Sequence, residues 1–281
     1  MNTPFKSPLQ EIWKGRAFVL RNFYMLQRDF SWFLTMLGDS FCESATFILI
    51  GVMFNDSMAI LFLALGVVNW SFFSALFSEI AYTVSQERRD GVLEETLALP
   101  ISRLSHLLGV TVFAWLKALL HAGVIALGLK LFAGLDLSGA NLAGVALTML
   151  LGSLSVIGLG LIVAAFPLVS AERGEQAQYT LQRFLVLISA VFYPVSVLPE
   201  FLQRLALLSP ITHAMNASRQ LMGIGVHGSR PGALMGQSLL SVGPELGLML
   251  SIGLLSIPVG LGLFSAAEYW AKKTGRLKRT G

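Results

Sequence analysis

Long apolar runs separated by short polar and basic stretches set the pattern of this chain. Apolar windows fall at about 31–54, 58–85, 107–132, 141–168, 179–198 and 243–266. Each is long enough to cross a hydrocarbon core of about 30 Å, which takes about 20 helical residues. Lipid offers backbone groups no hydrogen-bond partner, so a spanning segment must satisfy its own N–H and C=O groups. The pattern therefore predicts an all-α integral membrane protein of six transmembrane helices, forming a single domain over residues 1–281. Residues 5–30 mix Trp13, Phe18, Leu20, Phe23, Tyr24 and Leu26 with Lys14, Arg16, Arg21 and Arg28, as an amphipathic helix lying in the interface does. Residues 199–222 are apolar, but Pro199 and Pro210 leave helices too short to cross. They are expected to dip back in from outside, against protein or a wet cavity. Residues 223–242, rich in Gly and Ser, read as an external loop. Small residues recur four apart at Gly144, Thr148 and Gly152, and at Gly243, Gly247 and Ser251, which predicts close helix approach there.

Composition supports the same solvent. Apolar residues make up 54% of the 281 and charged residues 13%, a balance foreign to soluble domains. Six spans with short connections leave no room for an appended soluble domain. The opening MNTPFKSPLQEIWKGR is polar for too long, and lacks a small-residue cleavage site, to be a removable signal peptide, so the first span is expected to stay in place. Cys42 is the only cysteine, which excludes an internal disulfide and a cysteine metal cluster. The formal charge of +4 sits mostly at segment ends beside apolar runs, where it meets anionic lipid headgroups and not nucleic acid.

The distribution of cations sets the orientation. Lys6, Lys14, Arg16, Arg21 and Arg28 precede the first span, and Arg88, Arg89 and Arg103 lie between the second and third. Arg173 and Arg183 flank the fourth-to-fifth connection, and Lys272, Lys273, Arg276, Lys278 and Arg279 close the chain. All fall on one side in a six-span topology. Lys130, Arg204, Arg219 and Arg230 fall on the other, so both termini are expected in the cytoplasm.

Residues 86–109, QERRDGVLEETLALPISRLSHLLG, carry the clearest functional signal. Charged positions crowd its start, Leu93, Leu97 and Leu99 give a narrow apolar face, and Pro100 stops the helix. A charged helix projecting from the membrane suits docking into a groove on a soluble partner. The run of Glu87, Arg88, Gly91, Leu93, Glu94, Leu97 and Pro100 resembles the coupling helix of the ABC transporter type-2 permease family, which includes drug, lipo-oligosaccharide and polysaccharide exporters. A second resembling block is residues 171–222, with Phe192, Tyr193, Pro194, Leu198, Pro199, Pro210 and Arg219 at the characteristic places.

The resemblance implies two permease copies, a second copy of this chain ahead of a sister chain, each resting on one subunit of an ABC ATPase dimer. It implies that residues 87–100, Arg89 among them, receive the motion of that ATPase, with a second contact near Glu172 and Arg173. The chain contains no GxxxxGK[ST] loop, so ATP and Mg are expected on the separate subunit and no cofactor on this chain. The location it implies is the bacterial inner membrane.

Charges inside the spans are the remaining candidates. Asp39 and Glu43 share a helix face, as do Lys117 and His121. At about 1.5 Å per residue, Glu43 and Lys117 both fall roughly 15 Å in. Each charge at the centre of an isolated helix costs about 2.5–3.5 kcal/mol, so a Glu43–Lys117 pair or a watery translocation path is expected. Glu79 lies nearer the cytoplasmic end, with Trp70, Phe72, Phe73 and Phe77 close by as lipid-facing bulk or cargo contacts. His106, His213 and His227 lack metal-ligand spacing. No nucleophile motif supports a catalytic site. An ion-coupled secondary transporter is the alternative function, although no inverted repeat is evident and residues 87–100 have no role in it. Lipid-linked saccharide, amphipathic drug and small hydrophobic metabolite are all compatible cargo.

Overall fold

Every regular element among the described residues is helical. The computed structural model describes residues 8–53, 57–98, 102–133, 141–224 and 239–274. The helices are α1 (Pro8–Arg28), α2 (Phe30–Met53), α3 (Ser57–Arg89), α4 (Val92–Ala98), α5 (Arg103–Ala133), α6 (Leu142–Ala164), α7 (Phe166–Val169), α8 (Ala171–Ile188), α9 (Glu200–Ala206), α10 (Pro210–Leu221) and α11 (Gly243–Lys273), with a 3-10 turn at Val195–Val197.

Among the described residues, five stretches are long and apolar enough to cross a bilayer: Phe33–Met53, Met58–Arg89, Leu104–Leu131, Leu142–Val169 and Gly243–Lys273. The crossing expected over 179–198 is not among them. Instead α8 starts earlier, carries Glu172, Arg173, Glu175, Gln176 and Gln178 in its first half, and ends at Ile188. The following Ala190 turns at φ 54, and the chain continues through a bend and the 3-10 turn. Five crossings are therefore evident by length and composition, and the sixth depends on α8.

At the centre is α3, which packs against α2, α5, α6, α8 and α10. Its 33 residues extend about 50 Å, so its polar last turns outrun the hydrocarbon. Phe72, Phe73 and Phe77 are fully buried in the main core with Leu76, Ile80 and Val84. Protein encloses all three, so they are not lipid-facing bulk. Of the four aromatics, Trp70 lines the cavity between α2, α3, α5 and α8.

Close helix approach occurs, but not through the expected stripe on α11. A Cβ on Gly243 or Gly247 would meet open space, and Ser251 is exposed. The α6–α11 seam instead uses Gly158, Gly253 and Gly260, one to three turns further along. A Cβ on Gly260 would lie 2.8 Å from the Gly158 carbonyl oxygen. Ser155 donates to the Met249 carbonyl and Ser256 to the Ser155 carbonyl, so hydroxyls tie the backbones where small residues let them meet. On the other helix, Thr148 is fully buried and Gly152 faces Phe73, so that stripe does pack inward. Helix α1 crosses α5 at Gly15 and Gly109, where a Cβ on Gly109 would lie 2.6 Å from the Gly15 oxygen. Its opposite face leaves Leu20, Phe23 and Tyr24 exposed, consistent with an amphipathic helix.

Helix α10 is buried against protein along most of its length, whereas α9 buries only Ala206 and leaves Phe201 and Leu205 exposed. Arg219 is fully buried and donates to the Ala190 and Val191 carbonyls at 2.8 and 2.7 Å, its guanidinium 3.6 Å from the Phe62 ring centroid. Those carbonyls lie just past the end of α8, where no helical N–H reaches them. The bend in turn presses Val191 onto α3 at Gly66, where a Cβ would collide with the Val191 oxygen.

Candidate functional site

Asp39, Glu43, Glu79, Lys117 and His121 all line one cavity of about 340 Å³ between α2, α3, α5 and α8. Helical periodicity puts them there. On α3, residues 70, 74, 78 and 82 repeat every four positions, so Trp70, Ser74, Ser78 and Tyr82 share one face, with Ser71 beside them. On α8, Gln178, Tyr179, Gln182 and Arg183 answer from the opposite wall. The Gln182 amide joins the two walls, donating to Ser74 Oγ at 2.6 Å and accepting from Ser78 Oγ at 3.1 Å. At one end Phe47 of α2 stacks on Phe192, with ring centroids 3.7 Å apart and planes 11° from parallel.

Lys117 Nζ lies 2.5 Å from Glu79 Oε2, both side chains 9% exposed. This corrects the expected Glu43–Lys117 pair. Glu43 lines the same cavity, but neither it nor Asp39 forms an ion pair among the described residues. Equal depth says nothing about azimuth, and α3 presents its own carboxylate to α5. His121, one turn beyond Lys117, is 3% exposed, and neither ring nitrogen has a hydrogen-bond partner.

A smaller cavity of about 80 Å³ lies among α1, α3 and α5 and shares Glu79, Tyr82 and Lys117 with the first. The ion pair and the tyrosine thus stand between the two spaces. The smaller one reaches Glu87, which is 3% exposed and binds both Arg21 of α1 and, at 3.0 Å, His106 Nε2 of α5. The Phe18 ring packs edge-on to His106 at 4.9 Å and under the Arg21 guanidinium at 5.2 Å. Three helices therefore meet on one carboxylate.

Residues 32–261 match the ABC-2 family transporter protein family. The chain belongs to this family. It is 25% identical over 225 residues to the probable multidrug ABC transporter permease YbhR of Escherichia coli (strain K12), an overlap of 77% of this chain and 52% of that protein. The counterpart from Escherichia coli O157:H7 matches equally. The chain spans about half the length of these curated relatives. The permease character and several apolar helices make it a multi-pass membrane protein.

In this ABC-2 permease, the segment expected to dock on a partner is partly turned inward. Glu87 is clamped, Arg88 donates to the Pro167 carbonyl of α7, and Leu93 is 1% exposed within the main core. The reversal at Gly91, φ 75, folds α4 back on α3, so Leu93, one of the three leucines read as a docking face, serves the bundle itself, while Leu99 lies outside the described residues. Arg89, Gly91 and Glu95 are exposed, Arg89 also contacting Gln86 and the Tyr82 ring. Glu94 and Leu97 fall in α4, and Glu172 and Arg173 in the first turn of α8, with their side chains outside the described part; Pro100 and His227 lie outside the described residues.

In the bend after α8, Tyr193 Oη donates to the Leu187 carbonyl, Pro194 and Pro199 flank the 3-10 turn, and Pro210 opens α10. Sequence reasoning missed Arg21 and His106 as partners of Glu87. It also missed Gln182, a polar residue within the apolar window 179–198, and Glu245, which pairs with His213. An amide in an apolar window was the available signal.

Proposed function

We propose that this chain is the membrane-spanning permease subunit of an ATP-binding cassette exporter, not an enzyme in its own right. It would move an amphipathic cargo out of the cytoplasm with ATP and Mg handled by a separate ATPase dimer. The observation that carries the reading is the charged cavity walled by α2, α3, α5 and α8, all within the residues that match the family. The multidrug permease relatives support it. In this reading α8 is the sixth, shorter crossing, both termini are cytoplasmic, and the location is the bacterial inner membrane. Two copies of the chain would stand side by side.

The ATPase would engage the exposed residues around Arg89, Gly91 and Glu95, and the tie of Glu87 to Arg21 and His106 would spread its motion to α1 and α5. The ion pair between Glu79 and Lys117 would then part and rejoin as the two cavities exchange contents, a population shift driven by the partner. Copurification with an ATPase tests the reading, followed by cargo-stimulated ATP hydrolysis in lipid. Stimulated hydrolysis and transport that vanish with a catalytically dead ATPase are expected. Transport that persists with the dead ATPase and follows an ion gradient would replace this reading with a secondary transporter.

A further inference from the structure

We propose that the cavity between α2, α3, α5 and α8 of a single chain binds an amphipathic organic cation that carries a hydrogen-bonding group. Asp39 and Glu43 face the cationic centre and His121 takes the polar group. As a choice of cargo class the proposal rests on the exporter reading; as a binding site it stands alone.

The charge on the walls comes first. Lys117 is occupied by Glu79, and the pair is nearly neutral to anything nearby. That leaves Asp39 and Glu43, one turn apart on the same face of α2, against Arg183 on α8. Among the described residues neither carboxylate has an ion-pair partner; both are exposed toward the cavity and outnumber Arg183, so the free charge on the walls is negative and favours a cation. A phosphate-bearing lipid carrier would meet repulsion from the same pair, so the class narrows to cations.

His121 gives an independent sign of a ligand. Its ring is 3% exposed, lines the cavity, and leaves both nitrogens without a hydrogen-bond partner. Buried polar groups are almost always satisfied, and an imidazole can both donate and accept. A hydroxyl or amide on the ligand would satisfy it. Trp70 in the wall offers an aromatic face that favours a desolvated organic cation over a hydrated inorganic ion.

Binding is read on the full chain, without ATPase or nucleotide, in nanodiscs of zwitterionic lipid. Tetraphenylphosphonium and tetraphenylborate share a shape and differ in charge sign. The phosphonium is expected to saturate and to quench tryptophan emission, with the quench lost in Trp70→Phe, while the borate does not saturate. In Asp39→Asn/Glu43→Gln the phosphonium affinity falls about tenfold or more, and the preference between the two ions narrows. Equal binding of the two ions, an unchanged affinity in the double variant, or binding of sodium alone would overturn the proposal.

Propranolol, an amine with a hydroxyl, reads the histidine. His121→Phe should weaken it about tenfold while leaving the phosphonium, which cannot hydrogen-bond, unchanged. Parallel loss of both probes, or loss of neither, removes His121 from the site. Failure here with ATPase coupling intact would overturn only the cargo class. Success here with no ATPase partner would overturn only the exporter reading.

Discussion

Arg219 illustrates how one buried side chain fixes a broken backbone. It spans from α10 to the two carbonyls past the end of α8, and no carboxylate among the described residues accompanies it; the carbonyl dipoles and the Phe62 ring take that role. Arg219→Met would leave both acceptors unpaired at about 1–3 kcal/mol each, and Arg219→Lys would lose the planar fork that reaches both. Both variants should unfold at lower temperature in detergent, the methionine more so, with proteolysis appearing first around 189–199. Unchanged unfolding in Arg219→Met would show that the bend holds without it. His213 poses a second residue-scale question. Its Nδ1 faces the Glu245 carboxylate and its Nε2 the Leu207 carbonyl at 2.9 Å, so both ring nitrogens meet acceptors. The hydrogen bond with Glu245 outweighs burial and raises the His213 pKa above its ordinary value. A raised folded-state value means the contribution is full below about pH 6.5 and is lost as pH climbs through that raised value. The hold of α10 on the start of α11 should therefore weaken with rising pH, read as faster amide exchange in α10, and His213→Ala should flatten that dependence.

At the scale of helices, the pairing of Lys117 separates two arrangements that looked equivalent in the sequence. Glu79→Lys/Lys117→Glu should recover transport lost in either single reversal, whereas Glu43→Lys/Lys117→Glu should not, because Glu43 faces the cavity on another helix. A lone reversal leaves like charges at membrane depth, where one unpaired charge already costs about 2.5–3.5 kcal/mol. Rescue by the second double variant instead would reinstate the Glu43 pair. The apolar windows revealed α2, α3, α5, α6 with α7, and α11, because a span must be apolar along its length whatever it packs against. They also picked out Asp39, Glu43, Glu79, Lys117 and His121, which the structure brings to one cavity, since periodicity and depth are properties of a single helix. Azimuth is not: it depends on which helix stands next to which, so the partner of Lys117 was illegible. The close approach on α11 was misplaced for a related reason, because small residues recur at helical spacing both at its start and further along, at Gly253, Ser256 and Gly260, and only the crossing point selects between them. Helix α8 failed as a uniform apolar span because Gln178 and Gln182 face a cavity wall that a hydropathy window cannot see.

For the whole molecule, the proposed exporter role requires that a signal at the membrane surface reach the cavity between α2, α3, α5 and α8. Exposed Arg89, Gly91 and Glu95 sit within two turns of Glu87, and Glu87 joins α1, α3 and α5. Two turns above it on α3, Glu79 holds Lys117 of the same α5. Helix α3 thus grips α5 at two heights, once at the smaller cavity's outer edge and once where the two cavities meet. A push on α4 that turned α3 would strain both grips together, since a packed helix moves as a body. Glu87→Gln removes the charge at the lower grip while keeping the side chain's shape, and leaves the wall of the larger cavity untouched. Such a variant should still bind tetraphenylphosphonium like the parent, yet the ATP hydrolysis of its partner should no longer respond to the bound cation. Retained stimulation would place the transmission elsewhere, in the contact of Arg88 with the Pro167 carbonyl between α3 and α7. The same titration on Arg21→Gln tells whether α1 belongs to that path: a response lost as fully as in Glu87→Gln makes it an arm of the lever, and an intact one leaves the work to α3 and α5.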